Sequence, residues 1–133
     1  MTESTRKPFV TIPNECKRNM NISFEVPFEV VCSIPLKPFG GKVYVDYIPG
    51  ETLIEWNSFA KYIEEQRGTI LSAEEFAEVV FDVIERFVQP RYLLVRLDID
   101  SAFHLDVDVE VCSHEQEDGS FCDSSHKSFA FME

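Results

Sequence analysis

Two chemically capable residues interrupt otherwise apolar patterning. Cys32 closes the stretch NISFEVPFEVVC, and Glu74 follows Ser72 and Ala73 at the start of a long amphipathic run. A cysteine acts as a nucleophile through its thiolate, which is a minor species at neutral pH unless a cation lowers the pKa. Lys37, Lys42 or a cation from an adjoining subunit are the candidates for that task. The same residue also reads as the small apolar end of a strand. Glu74 has two readings as well: an acid favoured by the helix dipole, or a carboxylate accepting paired hydrogen bonds from a ligand. A third group, Cys112, His114, Cys122 and His126, contains zinc-binding residue types. Its spacing is irregular and lacks a second tight pair, so no metal is expected.

The elements that must position these residues are legible from periodicity. Ile22, Phe24, Val26, Phe28, Val30 and Cys32 alternate with polar or edge-compatible residues, the pattern of a half-buried strand, and Pro27 places that strand at an edge or bulge. The segment SIPLKPFGG reads as a loop and KVYVDYI as the returning strand, closed by Pro49-Gly50. A first helix is expected from about Asn57 to Gln66, with Phe59, Tyr62 and Ile63 inward and Gly68 as its stop. The second opens on the capping box Ser72-Ala-Glu-Glu75 and carries Phe76, Val79, Val80, Val83, Ile84, Phe87 and Val88 as an apolar stripe, until Gln89-Pro90 ends it. RYLLVRLDID and FHLDVDVEVC then supply two more strands around Asp100-Ser101-Ala102. The expected product is an α+β domain of order ββααββ over residues 21–112, a four-stranded antiparallel sheet with two helices on one face. Residues 1–20 are expected as a flexible arm and residues 113–133 as a polar tail. Open sheet edges favour ring-like assembly.

Composition narrows the function. The chain has 133 residues, enough for one core, and 24 acidic against 12 basic side chains give a net charge of -12. That charge repels polynucleotides and anionic membranes, so a small neutral molecule fits better as a partner than nucleic acid does. No apolar run is long enough to span a bilayer, and MTESTRKPFV lacks the hydrophobic centre of a secretory signal. A cytoplasmic protein with its four cysteines reduced is expected.

Particular residues also resemble a family. Cys32 stands ahead of Tyr47-Ile48-Pro49 at the distance found in the 7-cyano-7-deazaguanine reductases, and Glu55, Ser58, Tyr62, Arg67, Glu74 and Pro90-Arg91-Tyr92 keep register with further landmarks of these nitrile reductases. The resemblance covers about Phe24 to Val111 and extends to their T-fold relatives, the GTP cyclohydrolases and an archaeal amidinotransferase that makes archaeosine. It implies a T-fold assembling into rings, a 7-deazapurine or pterin-like substrate bound at subunit interfaces, and thioimidate chemistry at Cys32. Glu74, with Glu55 and Ser58, would bind the base, and NADPH would rest on Arg67 and Arg91 from two chains. The pattern departs in several places: Phe39 replaces an aspartate, Ala73 a histidine, and Asn57 and Ala60 two lysines. An amidinotransferase without NADPH, or a binding protein without chemistry, therefore stands beside the reductase.

Overall fold

The computed structural model describes residues 7–33, 36, 38–99 and 107–113. Alternating burial builds β2 (Ile22–Val31), β3 (Pro38–Ile48), β5 (Tyr92–Ile99) and β6 (Val107–Cys112) into one antiparallel sheet of spatial order β2-β3-β5-β6. Val26, Phe28, Val30, Val43, Val45, Tyr47, Leu93, Val95, Leu97 and Ile99 face the helices α1 (Trp56–Glu64) and α2 (Ala73–Val88) and form the core with Phe59, Phe76, Val80 and Ile84. The order of the main elements is the expected ββααββ. Pro27 lies on the edge strand β2, where its missing N–H breaks no ladder bond on the open side.

Two short strands were not expected. β1 (Thr11–Pro13) pairs antiparallel with β4 (Thr52–Ile54), and Phe9 just ahead of it is 3% exposed, its ring edge-on to Phe59 at 5.1 Å. Phe9 is thus buried and Thr11–Pro13 are paired, although Val10 and Ile12 stay exposed; a three-residue strand is too short to show a period, yet one buried ring anchors it. The expected loop over residues 33–41 is also shorter than read, because β3 already begins at Pro38. Gly40 and Gly41 sit inside that strand for lack of room. A Cβ on Gly41 would overlap the carbonyl oxygen of Asp98, and one on Gly40 would stand 2.6 Å from that of Phe28.

The capping box of α2 forms as the sequence predicts: the Ser72 hydroxyl accepts from Glu75 N–H at 3.1 Å, and the Glu75 carboxylate accepts from Ser72 N–H at 3.0 Å. Val79 departs from the predicted stripe and is 40% exposed, while Ala77 takes the buried position. Gln89 ends the helix in the left-handed region at φ 55°. The first half of the predicted fourth strand, His104 included, and most of the tail with His114, Cys122 and His126 lie outside the described residues. Cys112 corrects one expectation, since it is disulfide-bonded while Cys16 and Cys32 remain thiols. Spacing in sequence does not limit such pairing, which depends on separation in the fold. Among the described residues no helix is long and apolar enough to cross a membrane, and no three potential ligands gather for a metal.

Candidate functional site

The six candidate residues separate into two groups at opposite ends of α2, which is 16 residues long and so spans about 24 Å. The first group is tied together by a short stretch of parallel pairing. Val31 N–H donates to the Thr69 carbonyl and Leu71 N–H to the Val31 carbonyl, both at 2.9 Å, forming a bridge between Val31 and Ile70. The residue after Val31 is Cys32, and the residue after Leu71 caps α2. Cys32 and the first turn of α2, with Glu74, therefore share one end of a single chain.

Cys32 is partly buried against the core, and its carbonyl accepts from Leu36 N–H at 2.9 Å. Leu36 closes that turn with φ 71°, an uncommon conformation for a branched side chain. Glu74 is exposed in the first turn of α2, where an acid favours the helix dipole, and the capping box is made by Glu75. Arg67 lies toward this end too. Its guanidinium pairs with Glu29 at 3.1 Å on the rim of an open cleft of about 450 Å³, floored by Val26, Phe28 and Ala60. Phe39, at the family's aspartate position, is 5% exposed and packs edge-on to Phe28 at 6.0 Å.

The second group lies at the other end. Glu55 caps α1 with both carboxylate oxygens, accepting from Ser58 N–H at 2.9 Å and Asn57 N–H at 3.2 Å. These bonds hold its carboxyl below the usual glutamate range, with Ser58 N–H the largest cause. The Ser58 hydroxyl bridges back, donating to the Glu55 carbonyl at 3.0 Å and accepting from Val10 N–H at 2.8 Å. Glu55 and Ser58 thus do structural work whatever else they bind. Arg91 donates from its backbone to Ile48 and from its guanidinium to Asn19 at 3.2 Å. Beside Glu55 runs a groove of about 290 Å³ lined by Ile12, Ile22, Tyr47, Leu53, Ile54 and Trp56.

The helix-free face of the sheet holds charges that sequence reading did not single out. Arg96 lies over the Tyr44 ring at 4.6 Å and binds Asp98 at 3.0 Å, with Asp108 opposite Asp98 and Glu110 opposite Arg96. Burial first, then the hydrogen-bonded Asp98 carboxylate, push Asp108 above the usual range. Alternation along RYLLVRLDI and VDVEVC marks these residues as sharing a face, but register alone shows which stand opposite.

Residues 38–118 match the family described as QueF-like protein. A protein of Sulfurimonas denitrificans named NADPH-dependent 7-cyano-7-deazaguanine reductase is 28% identical over 102 residues, covering 76% of this chain and 82% of the relative. One of the same name from Thermosynechococcus vestitus is 28% identical over 110 residues, covering 80% and 83%. Among solved structures, an archaeosine synthase QueF-Like in its apo form superposes with a TM-score of 0.66 at 25% identity, over 70% of this chain and 92% of that one.

Proposed function

The chain belongs to the QueF-like protein family and has its T-fold, and from that premise we propose that it processes 7-cyano-7-deazaguanine by thioimidate chemistry at Cys32. The observation that carries this reading is that Cys32 and the first turn of α2, which bears the exposed Glu74, lie at the same end of the chain, tied by the bridge between Val31 and Ile70.

Chemically, the Cys32 thiolate adds to the nitrile carbon. A carbon–sulfur bond forms, the triple bond becomes a double bond, and the nitrogen takes up a proton. Phe39, buried in packing, cannot give that proton, so it comes from solvent or from a group of a neighbouring copy. Glu74 holds the base by accepting its N–H groups, at roughly 1.5–3 kcal/mol for each hydrogen bond to charge.

One chain cannot close this site. Cys32, Arg67 and Glu74 occupy one end of the helices, Glu55, Ser58 and Arg91 the other, so all six meet only where one end of a copy faces the other end of a second. A homo-oligomer with sites at its seams, ring-like in the manner of T-folds, is part of the proposal, as is a cytoplasmic location.

The relatives' name supplies the reductase reading, in which NADPH, when bound, would supply the reducing equivalents. Arg67 of one copy and Arg91 of another would hold its phosphates; the exposed ion pair of Arg67 with Glu29 is weak enough to exchange for such a contact. A second reading, amine transfer without NADPH, is favoured by the neighbour titled archaeosine synthase and by the two carboxylates, Glu29 and Glu64, on the cleft that Arg67 borders.

Intact mass spectrometry after incubation with 7-cyano-7-deazaguanine tests the common step. An adduct on the wild-type chain, absent from Cys32→Ala, is expected; a wild-type protein that binds the compound without any adduct overturns the chemistry. Adding NADPH then separates the two readings by whether its near-ultraviolet absorbance falls.

A further inference from the structure

We propose that copies of this chain meet head to tail, with Trp56 of one copy seated against Leu36 and Ile70 of the next. This deepens the seam described above and rests on that reading for the presence of a second copy, while the apolar residues that make the contact lie outside the six assigned to substrate and cofactor.

Exposed apolar surface is concentrated at the two ends of the helices. Of the seven large apolar side chains left exposed among the described residues, only Val79 stands partway along α2. Trp56, 64% exposed, opens α1 beside Val10, whose carbonyl accepts from Glu55 N–H, and Ile12, which pairs with Leu53. At the other end Leu36 and Ile70 are 61% and 57% exposed; Leu36 N–H donates to the Cys32 carbonyl, and Ile70 bridges Val31. About 24 Å of helix separates the two patches, so one copy cannot cover its own. The groove of about 290 Å³ beside Trp56, walled by Ile12, Leu53 and Ile54, has room for an aliphatic side chain from outside.

Charge decides which ends meet. Glu64, Glu65, Glu74 and Glu75 are exposed around the connection between α1 and α2, at the end that carries Leu36 and Ile70. Lys17, Arg18, Arg86 and Arg91 are exposed at the Trp56 end, where the Arg91 guanidinium binds Asn19, next to Arg18, and Arg86 lies in the last turn of α2. Glu15, Glu51 and Glu85 offset part of that positive charge. Two Cys32 ends face to face would set acid against acid, whereas a head-to-tail contact sets the acidic connection against the cations. Such a contact joins unlike surfaces, so it repeats from copy to copy until it closes on itself. Trp56 then serves as the aromatic anchor, the residue type that carries much of the energy of protein contacts.

Trp56 is the single tryptophan of the chain, so its emission reports on this contact alone. Native mass spectrometry and tryptophan emission are followed as the full chain is diluted without substrate. Wild-type emission should move to longer wavelength as the assembly separates. Trp56→Ala and Ile70→Asp should each raise the dissociation midpoint roughly tenfold or more, with circular dichroism matching the parent because both side chains are exposed. Mixed at a concentration where each variant alone is monomeric, the two should form a heterodimer and nothing larger, since the intact Ile70 end of one meets the intact Trp56 end of the other only once. A wild-type chain that stays monomeric, emission unmoved by dissociation, an assembly that neither substitution weakens, or a mixture that remains monomeric overturns the contact. A Cys32 adduct in protein whose assembly ignores both substitutions upholds the chemistry and overturns the contact; assembly that follows the expected pattern without any adduct does the reverse.

Discussion

Val31 and Ile70 face each other across a parallel bridge, the contact that brings the residue before Cys32 to the same end of the chain as the entrance to α2. The same helix carries the chain away from that point to Arg91, and α1 begins at Glu55 on the far side. If sites form between copies as proposed, two defective chains repair each other. Cys32→Ala and Glu55→Gln proteins should each be inactive alone, and a refolded equal mixture should recover roughly a quarter of wild-type turnover, since one junction in four then joins two intact ends. Turnover of the mixture no greater than that of its components would place both ends in a single copy's site.

Phe9 predicts a cost for losing the packed N-terminal segment. Its ring contacts Phe59 at 5.1 Å and Tyr62 at 5.9 Å and is nearly solvent-free. Phe9→Ala removes that ring from the core and should lower unfolding free energy by about 3 kcal/mol in urea titration. A loss under about 1 kcal/mol would mean that the segment is held by β1 pairing and not by its aromatic anchor.

How far the sequence reveals this molecule depends on the length of each signal. The capping box, the stripe of α2 and the alternation of β2 run over many residues and predict their elements directly. Phe9 and Thr11–Pro13 offer only one ring and three strand residues, so nothing periodic announces them. Gly40 and Gly41 resemble a turn because glycine has two uses, and only the approach of Phe28 and Asp98 carbonyls shows which applies. Resemblance brings Glu55 and Ser58 forward as ligand residues, yet their hydrogen bonds show them first as the cap of α1. The separation of the site into two ends is invisible in sequence because it follows from the direction of α2 relative to the sheet.

Asp98 and Asp108 stand directly opposite on β5 and β6, a like-charged pair that opposes the ladder holding the edge strand. Burial and Asp98 raise the carboxyl pKa of Asp108 in the folded state. A raised folded value contributes stability below the unfolded pKa of about 3.9, and that contribution fades as pH rises through the folded value. Asp108→Asn should therefore be more stable than wild type at pH 7 by about 0.5 kcal/mol, with the advantage shrinking on acidification. Equal midpoints at pH 7 in denaturant unfolding would assign the pair no energetic role, Arg96 having neutralised it.

Glu55 gives the opposite sign. Its carboxylate accepts two N–H groups at the start of α1, which keeps its folded pKa below the unfolded value of about 4.3. Stability from the charged cap is then complete above that unfolded value and disappears as pH falls through the folded one. Glu55→Ala should unfold at a lower temperature than wild type at pH 7, and the gap should close as the pH is taken below 4. Glu55→Gln keeps an oxygen for the helix and should stay closer to wild type at pH 7, though it weakens base binding by losing the charge. Should Glu55→Ala match wild type in stability while still losing affinity for 7-cyano-7-deazaguanine, the carboxylate serves the ligand alone; a loss of stability with affinity intact would leave it as a helix cap and nothing more.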